Sequence, residues 1–144
     1  MVDNPSTELH VAVVTGQLAR LVFKEENLAL AEILLDRAIG LTEKVLQRSP
    51  DDRQLATSYP GMLEDRANVC IRLGRLEEAL HDYERAVDVE SVAMRASTRI
   101  ARARLHKRLG NHRQALAEVR ETIAELPSAT PAHVLIFVLK SAAQ

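Results

Sequence analysis

The sequence predicts an all-α fold assembled from repeated helix hairpins, and three observations carry that prediction. The first is an internal echo: Leu73-Gly74-Arg75-Leu76-Glu77-Glu78-Ala79-Leu80 returns 36 residues later as Leu109-Gly110-Asn111-His112-Arg113-Gln114-Ala115-Leu116. Aligning Arg66–Glu90 on Arg102–Leu126 gives seven identities, and self-similarity at a fixed period of roughly 20–50 residues marks stacked supersecondary units. The second is a helix-forming composition rich in Ala, Leu, Glu and Arg, with only 3% aromatic residues. The third is that no segment sustains the apolar–polar alternation flanked by hairpin turns that strands require.

The first helix is expected to open near Asn4-Pro5-Ser6, where Asn or Ser can cap and Pro suits the first turn, and to run to about Lys24. Asn27 opens the second. Leu28, Ala31, Leu35, Ala38, Ile39, Leu41 and Val45 recur at spacings of three and four and trace an apolar stripe along a helix reaching about Gln47. Ser49-Pro50-Asp51-Asp52 stops it, and a polar connector is expected as far as Tyr59-Pro60-Gly61. Further helices are predicted over about 62–73, 76–89, 94–109 and 112–126, with Gly74 and Gly110 breaking each hairpin because glycine accepts a left-handed backbone at a helix end. Pro127-Ser128-Ala129-Thr130-Pro131 introduces a seventh helix, about 132–142.

A chain of 144 residues is expected to form one domain, 1–144, and to bury about 68–70% of its unfolded surface without a cofactor or disulfide. Nineteen Lys plus Arg against 20 Asp plus Glu leave a formal charge of −1, which excludes a globally polycationic nucleic-acid or membrane binder. Cys70 is the one cysteine, which suits a reducing compartment. Met1–Gln17 contains no Lys or Arg and only the short apolar run Val11–Val14, unlike a secretory signal, so a cytoplasmic location is expected. The longest apolar run, Val134–Leu139, is six residues against the roughly 20 that span a bilayer. No membrane association is expected.

Leu73-Gly74, Ala79, Tyr83 and Ala86 in one unit, and Leu109-Gly110, Ala115 and Pro127 in the next, resemble the tetratricopeptide repeat. An earlier unit aligns through Leu18-Ala19, Leu28, Ala31, Leu35, Ala38 and Ile39, with Glu25-Glu26 in place of the Leu-Gly turn. The chain departs from the family pattern in having no Trp, Cys70 and His106 in place of aromatics, Ser91 in place of a terminal Pro, and 48 residues between the first two units. The resemblance implies a right-handed α-solenoid of about three hairpins, approximately 11–47, 60–93 and 96–129, followed by a C-terminal helix, 131–142. It also implies a protein–protein interaction module, an adaptor or scaffold whose first helices line a concave groove.

Charge at the groove-lining positions points to the partner. Arg20/Lys24, Asn68/Arg72 and Arg104/Arg108 are each four residues apart and occupy matching places in the three units, so each pair shares a helix face. With Gln17 and Lys107 nearby, and Glu64 and Asp65 as an acidic edge, they form an expected basic strip. Arg holds a carboxylate through two parallel hydrogen bonds and Asn both donates and accepts, so an acidic or carboxylate-bearing peptide or helix is the complement. Gly16 stands where the family's chaperone-tail clamp has a lysine. The competing reading is that these long side chains keep one face hydrated. Arg99 and Arg102 are expected to serve internal pairing with the acid-rich segment Leu76–Glu90.

Val134–Leu139 surrounds the last helix with apolar side chains, so Leu135, Ile136, Phe137 and Leu139 are candidates for homo-oligomer formation, the alternative being burial against Leu116, Val119 and Ile123. Nucleic acid is a weaker candidate partner, because two Phe and two Tyr give few stacking platforms. His10, His81, His106, His112 and His133 match no metal motif, Cys70 falls on the expected packing face, and the acidic pairs Glu25/Glu26, Asp51/Asp52 and Glu77/Glu78 lie at turns or helix starts. No enzymatic activity, metal or cofactor is expected.

Overall fold

A computed structural model describes residues 5–90, 92–126 and 140. Among these residues there are six helices and no strand: α1 (Pro5–Lys24), α2 (Leu28–Arg48), α3 (Arg53–Arg72), α4 (Leu76–Val89), α5 (Val92–Arg108) and α6 (His112–Glu125). The helix expected at 131–142 falls outside the described residues. Contacts group the chain into two compact units, one ending at Val89 and the other beginning at Glu90. In the first, α1 packs on α2, α2 on α3, α3 on α4, and α1 meets α3 along a shorter seam; in the second, α5 packs on α6.

Small side chains mark where the helices close on one another. Ala19, Ala31 and Ala38 in the first hairpin, and Ala67, Ala79 and Ala86 at the matching positions of the second, are fully buried. In the third hairpin Ala103 is buried and Thr122 takes the last of these positions, its hydroxyl donating to the Glu118 carbonyl at 2.7 Å so that no polar group is left unmet.

The three hairpin turns share one hydrogen-bond pattern. Gly74 N–H donates to the Ile71 carbonyl at 3.0 Å and Arg75 N–H to Cys70 at 2.8 Å; Gly110 and Asn111 do the same to Lys107 and His106 at 3.1 and 2.8 Å. Glu26 and Asn27 repeat the pattern on Phe23 and Val22, both at 3.0 Å. This is the Schellman closure of a helix C-terminus, and it requires a left-handed residue. Gly74 and Gly110 supply it at φ 77° and 82°; Glu26 is forced into it at φ 62°. A side chain there costs about 1–2 kcal/mol. Glu26→Gly is therefore expected to leave stability unchanged or raise it by up to about 1 kcal/mol, while Gly110→Ala lowers it by about 1 kcal/mol. Equal losses for both changes in urea titrations would contradict a common turn.

The expected connector from Ser49 to Gly61 is largely helical. Asp52 caps α3 by accepting from the Leu55 amide at 3.0 Å, and the helix continues through Tyr59-Pro60-Gly61. A proline inside a helix forfeits one backbone bond and costs about 3 kcal/mol. Burial of Leu55, Tyr59, Pro60, Met62 and Leu63 offsets that loss. Tyr59 also ties three helices together: its hydroxyl donates to Glu43 of α2 at 2.8 Å and accepts from Arg85 of α4 at 2.5 Å. Burial, followed by the bond to Glu43, pushes this phenol up to about 12.

Candidate partner-binding groove

The seam between α1 and α3 opens into a cleft of about 270 Å³. Ala19, Phe23, Leu35 and Val69 form its apolar lining, and Arg20, Lys24, Asp65 and Asn68 its polar one. Ala19, Leu35 and Val69 of that lining belong to one buried cluster with Ala31, against which Phe23 packs. Gly16 faces α3 here, where an added Cβ would lie 3.4 Å from the Met62 methyl, close to an ordinary contact. Three expected groove residues, Arg20, Lys24 and Asn68, thus meet at one opening.

Their electrostatics are partly self-satisfied. Arg20 Nε donates to Asp65 Oδ2 at 2.6 Å. Burial raises the Asp65 carboxyl above its ordinary value even though the guanidinium pulls the other way. Arg72 lies over the Phe23 ring, 5.8 Å from its centroid, and pairs with Glu26. Asn68 Oδ1 accepts from the Tyr83 hydroxyl at 2.9 Å, which orients the amide so that its NH₂ serves as a donor. Gln17 is exposed on α1 outside the cleft lining. Arg104, Lys107 and Arg108 belong to α5 in the second unit, the first half-buried and the other two exposed. Leu135, Ile136, Phe137 and Leu139 lie outside the described residues, while Leu116 and Ile123, their expected cover, are exposed.

Inside the hairpins is a feature that sequence reading missed. Arg66 on α3 grips Asp82 on α4 with two bonds, at 2.8 and 2.7 Å, and reaches Asp36 at 3.1 Å. Thirty-six residues on, Arg102 on α5 grips Glu118 on α6 at 3.1 and 2.7 Å. The Asp82 bonds hold the Arg66 guanidinium even more firmly protonated than usual. The signal was present: Arg66/Arg102 is one of the seven identities, and Asp82/Glu118 preserves an acid without preserving the residue. The expected partners of Arg99 and Arg102 need correcting accordingly. Arg99 meets Glu118 at 3.6 Å and Glu125 at 3.1 Å, and Arg102 meets Glu118, so both cations pair with the helix that follows them. The repeat register, not the density of charge along the chain, chooses the partner.

A second cleft, about 460 Å³, runs between α2 and α4 and carries Glu32, Asp36, Glu77, Glu78 and Asp82 with Arg66, Arg75 and His81. Cys70 lines it; burial and the carboxylates around it push the thiol up to about 11, so it stays protonated and unreactive near neutral pH. Among the described residues, no group of three His, Cys, Asp or Glu is arranged to hold a metal ion, and no helix is long and apolar enough to cross a membrane. No protein-family model matches the chain, and no curated protein matches it.

Proposed function

We propose that this chain is a tetratricopeptide-like adaptor that binds an acidic, carboxylate-bearing peptide or helix at the α1–α3 cleft. The observation supporting this most directly is the convergence of Arg20, Lys24 and Asn68 on one opening with an apolar floor. An apolar side chain of the ligand packs on the half-buried Phe23 at the mouth of the cleft while its carboxylate takes the cations at the rim. Glu26 holds Arg72 in the meantime, and an exposed pair of this kind contributes only about 0–1 kcal/mol, so exchange for a ligand carboxylate is cheap. Arg20 is held by the partly buried Asp65, which competes with the ligand for it.

The test is fluorescence anisotropy with a labelled peptide whose last residues are acidic and whose terminus is free. Glutamate at Arg20, Lys24 or Arg72 is expected to weaken binding about tenfold or more, since hydrogen bonds to charged groups are worth about 1.5–3 kcal/mol. Asp65→Asn, which removes an internal competitor, is expected to tighten it by up to about fivefold. Circular dichroism should show unchanged helix content in all four. Glutamate at Arg104 and Arg108, assayed in parallel, reports whether the second unit takes part. Affinity indifferent to Arg20, Lys24 and Arg72 would remove the cleft from the proposal.

A further inference from the structure

The first hairpin exposes an apolar surface whose counterpart in the second hairpin is buried. Val11, Val14, Leu18 and Leu21 follow one another at intervals of three, four and three along α1, and all four are exposed; on α2, Leu30 and Ile33 are exposed too, Ile33 by 64%. The 48-residue shift that relates the first two hairpins places Val11 on Tyr59, Val14 on Met62 and Leu21 on Val69. In the second hairpin those three residues are covered by the first: Tyr59 and Met62 cluster with Ala38 and Ile39, and Val69 with Ala19, Ala31 and Leu35. Met62 is 4% and Val69 0% exposed, against 49% for Val14 and 58% for Leu21.

The same shift places Leu30, Ile33 and Leu34 on Glu78, His81 and Asp82, which line the cleft that α4 shares with Glu32 and Asp36 of α2. The face with which a hairpin receives its predecessor is therefore polar on α4 and apolar on α2. Large exposed apolar side chains grouped in this way mark an interface. At the equivalent positions the cover is a helix hairpin, which defines the shape of what fits.

The spacing defines it further. Intervals of three, four and three read the same in both directions, so two α1 helices laid antiparallel about a two-fold axis set Val11 against the partner's Leu21 and Val14 against the partner's Leu18. Each contact then occurs twice, the pattern of an isologous pair. The four stripe positions carry no charge, so docking desolvates none. We infer that the α1–α2 face joins two copies of this chain through antiparallel α1 helices. Arg20 points away from the stripe, on the other side of α1, so the proposed peptide cleft and this interface stand or fall separately.

Light scattering of the full chain after gel filtration tests the inference. The expected mass is twice the 16.0 kDa of one chain, halving in the Leu21→Glu/Ile33→Glu variant with helix content unchanged, because both residues are exposed. In a Cys70→Ala background, Val14→Cys/Leu18→Cys is expected to yield a covalent dimer on oxidation. A single-chain mass at the highest soluble concentration, a mass above two chains, or a dimer unmoved by the two glutamates would overturn the inference. So would an intact dimer that fails to cross-link.

Discussion

Replacing Arg66 by methionine is expected to destabilise the unit that contains it by about 3–5 kcal/mol, because the change strands the buried Asp82 carboxylate without its cation. The matching change at Arg102 is expected to cost less, since Arg99 still lies 3.6 Å from Glu118. Asp82 and Glu118 are buried, Asp82 receiving two hydrogen bonds from Arg66 and Glu118 three from Arg102. Desolvating a charge is tolerable only while those bonds persist. The companion variant Arg66→Met/Asp82→Leu is expected to recover most of the loss, since a well-packed apolar pair of similar volume often equals a buried ion pair. Urea unfolding measures both effects. A loss below about 1 kcal/mol for the single methionine would mean that water reaches Asp82 and that the pair is ordinary surface electrostatics.

The next largest effect concerns the core where α2, α3 and α4 meet. Leu63 is fully buried in a cluster with Ala38, Ile39, Tyr59, Met62 and Ala86, so Leu63→Ala is expected to cost about 2–5 kcal/mol through lost transfer energy and a residual cavity. One helical turn further along α3, Ala67 is also fully buried, and Ala67→Leu is expected to cost about 1–3 kcal/mol for the opposite reason: added atoms force the helices apart. Opposite volume changes with losses of the same sign are the mark of a close-packed seam. Tolerance of Ala67→Leu, seen as an unchanged urea midpoint, would show that α3 and α4 are separated by slack that the buried alanines do not reveal.

The all-helical fold was legible because its cues are local. Glycines at hairpin turns and apolar stripes at spacings of three and four act within a few residues of one another, and α2, α4 and α6 begin and end close to where those cues place them. Tyr59-Pro60-Gly61 misled for the same reason. Proline and glycine are strong local breakers, and only long-range burial of Tyr59, Met62 and Leu63 keeps α3 continuous through them. At the candidate site, Arg20, Lys24 and Asn68, singled out from the repeat register, line one cleft. It did not disclose that Asp65 and Glu26 occupy Arg20 and Arg72, because those pairings depend on the approach of α1 to α3, 45 and 46 residues apart in sequence. The Arg66–Asp82 and Arg102–Glu118 pairs are harder to read from sequence because the repeat preserves the charge at 82 and 118 and not the residue.

Backbone amide chemical-shift mapping during titration with the acidic peptide tests the binding account most directly. The expected result is saturable change concentrated on α1 and α3 at Arg20, Lys24, Asn68, Val69 and Arg72. Change centred on Glu32, Glu77 and Glu78 at the other cleft, or no saturable change at all, would contradict it.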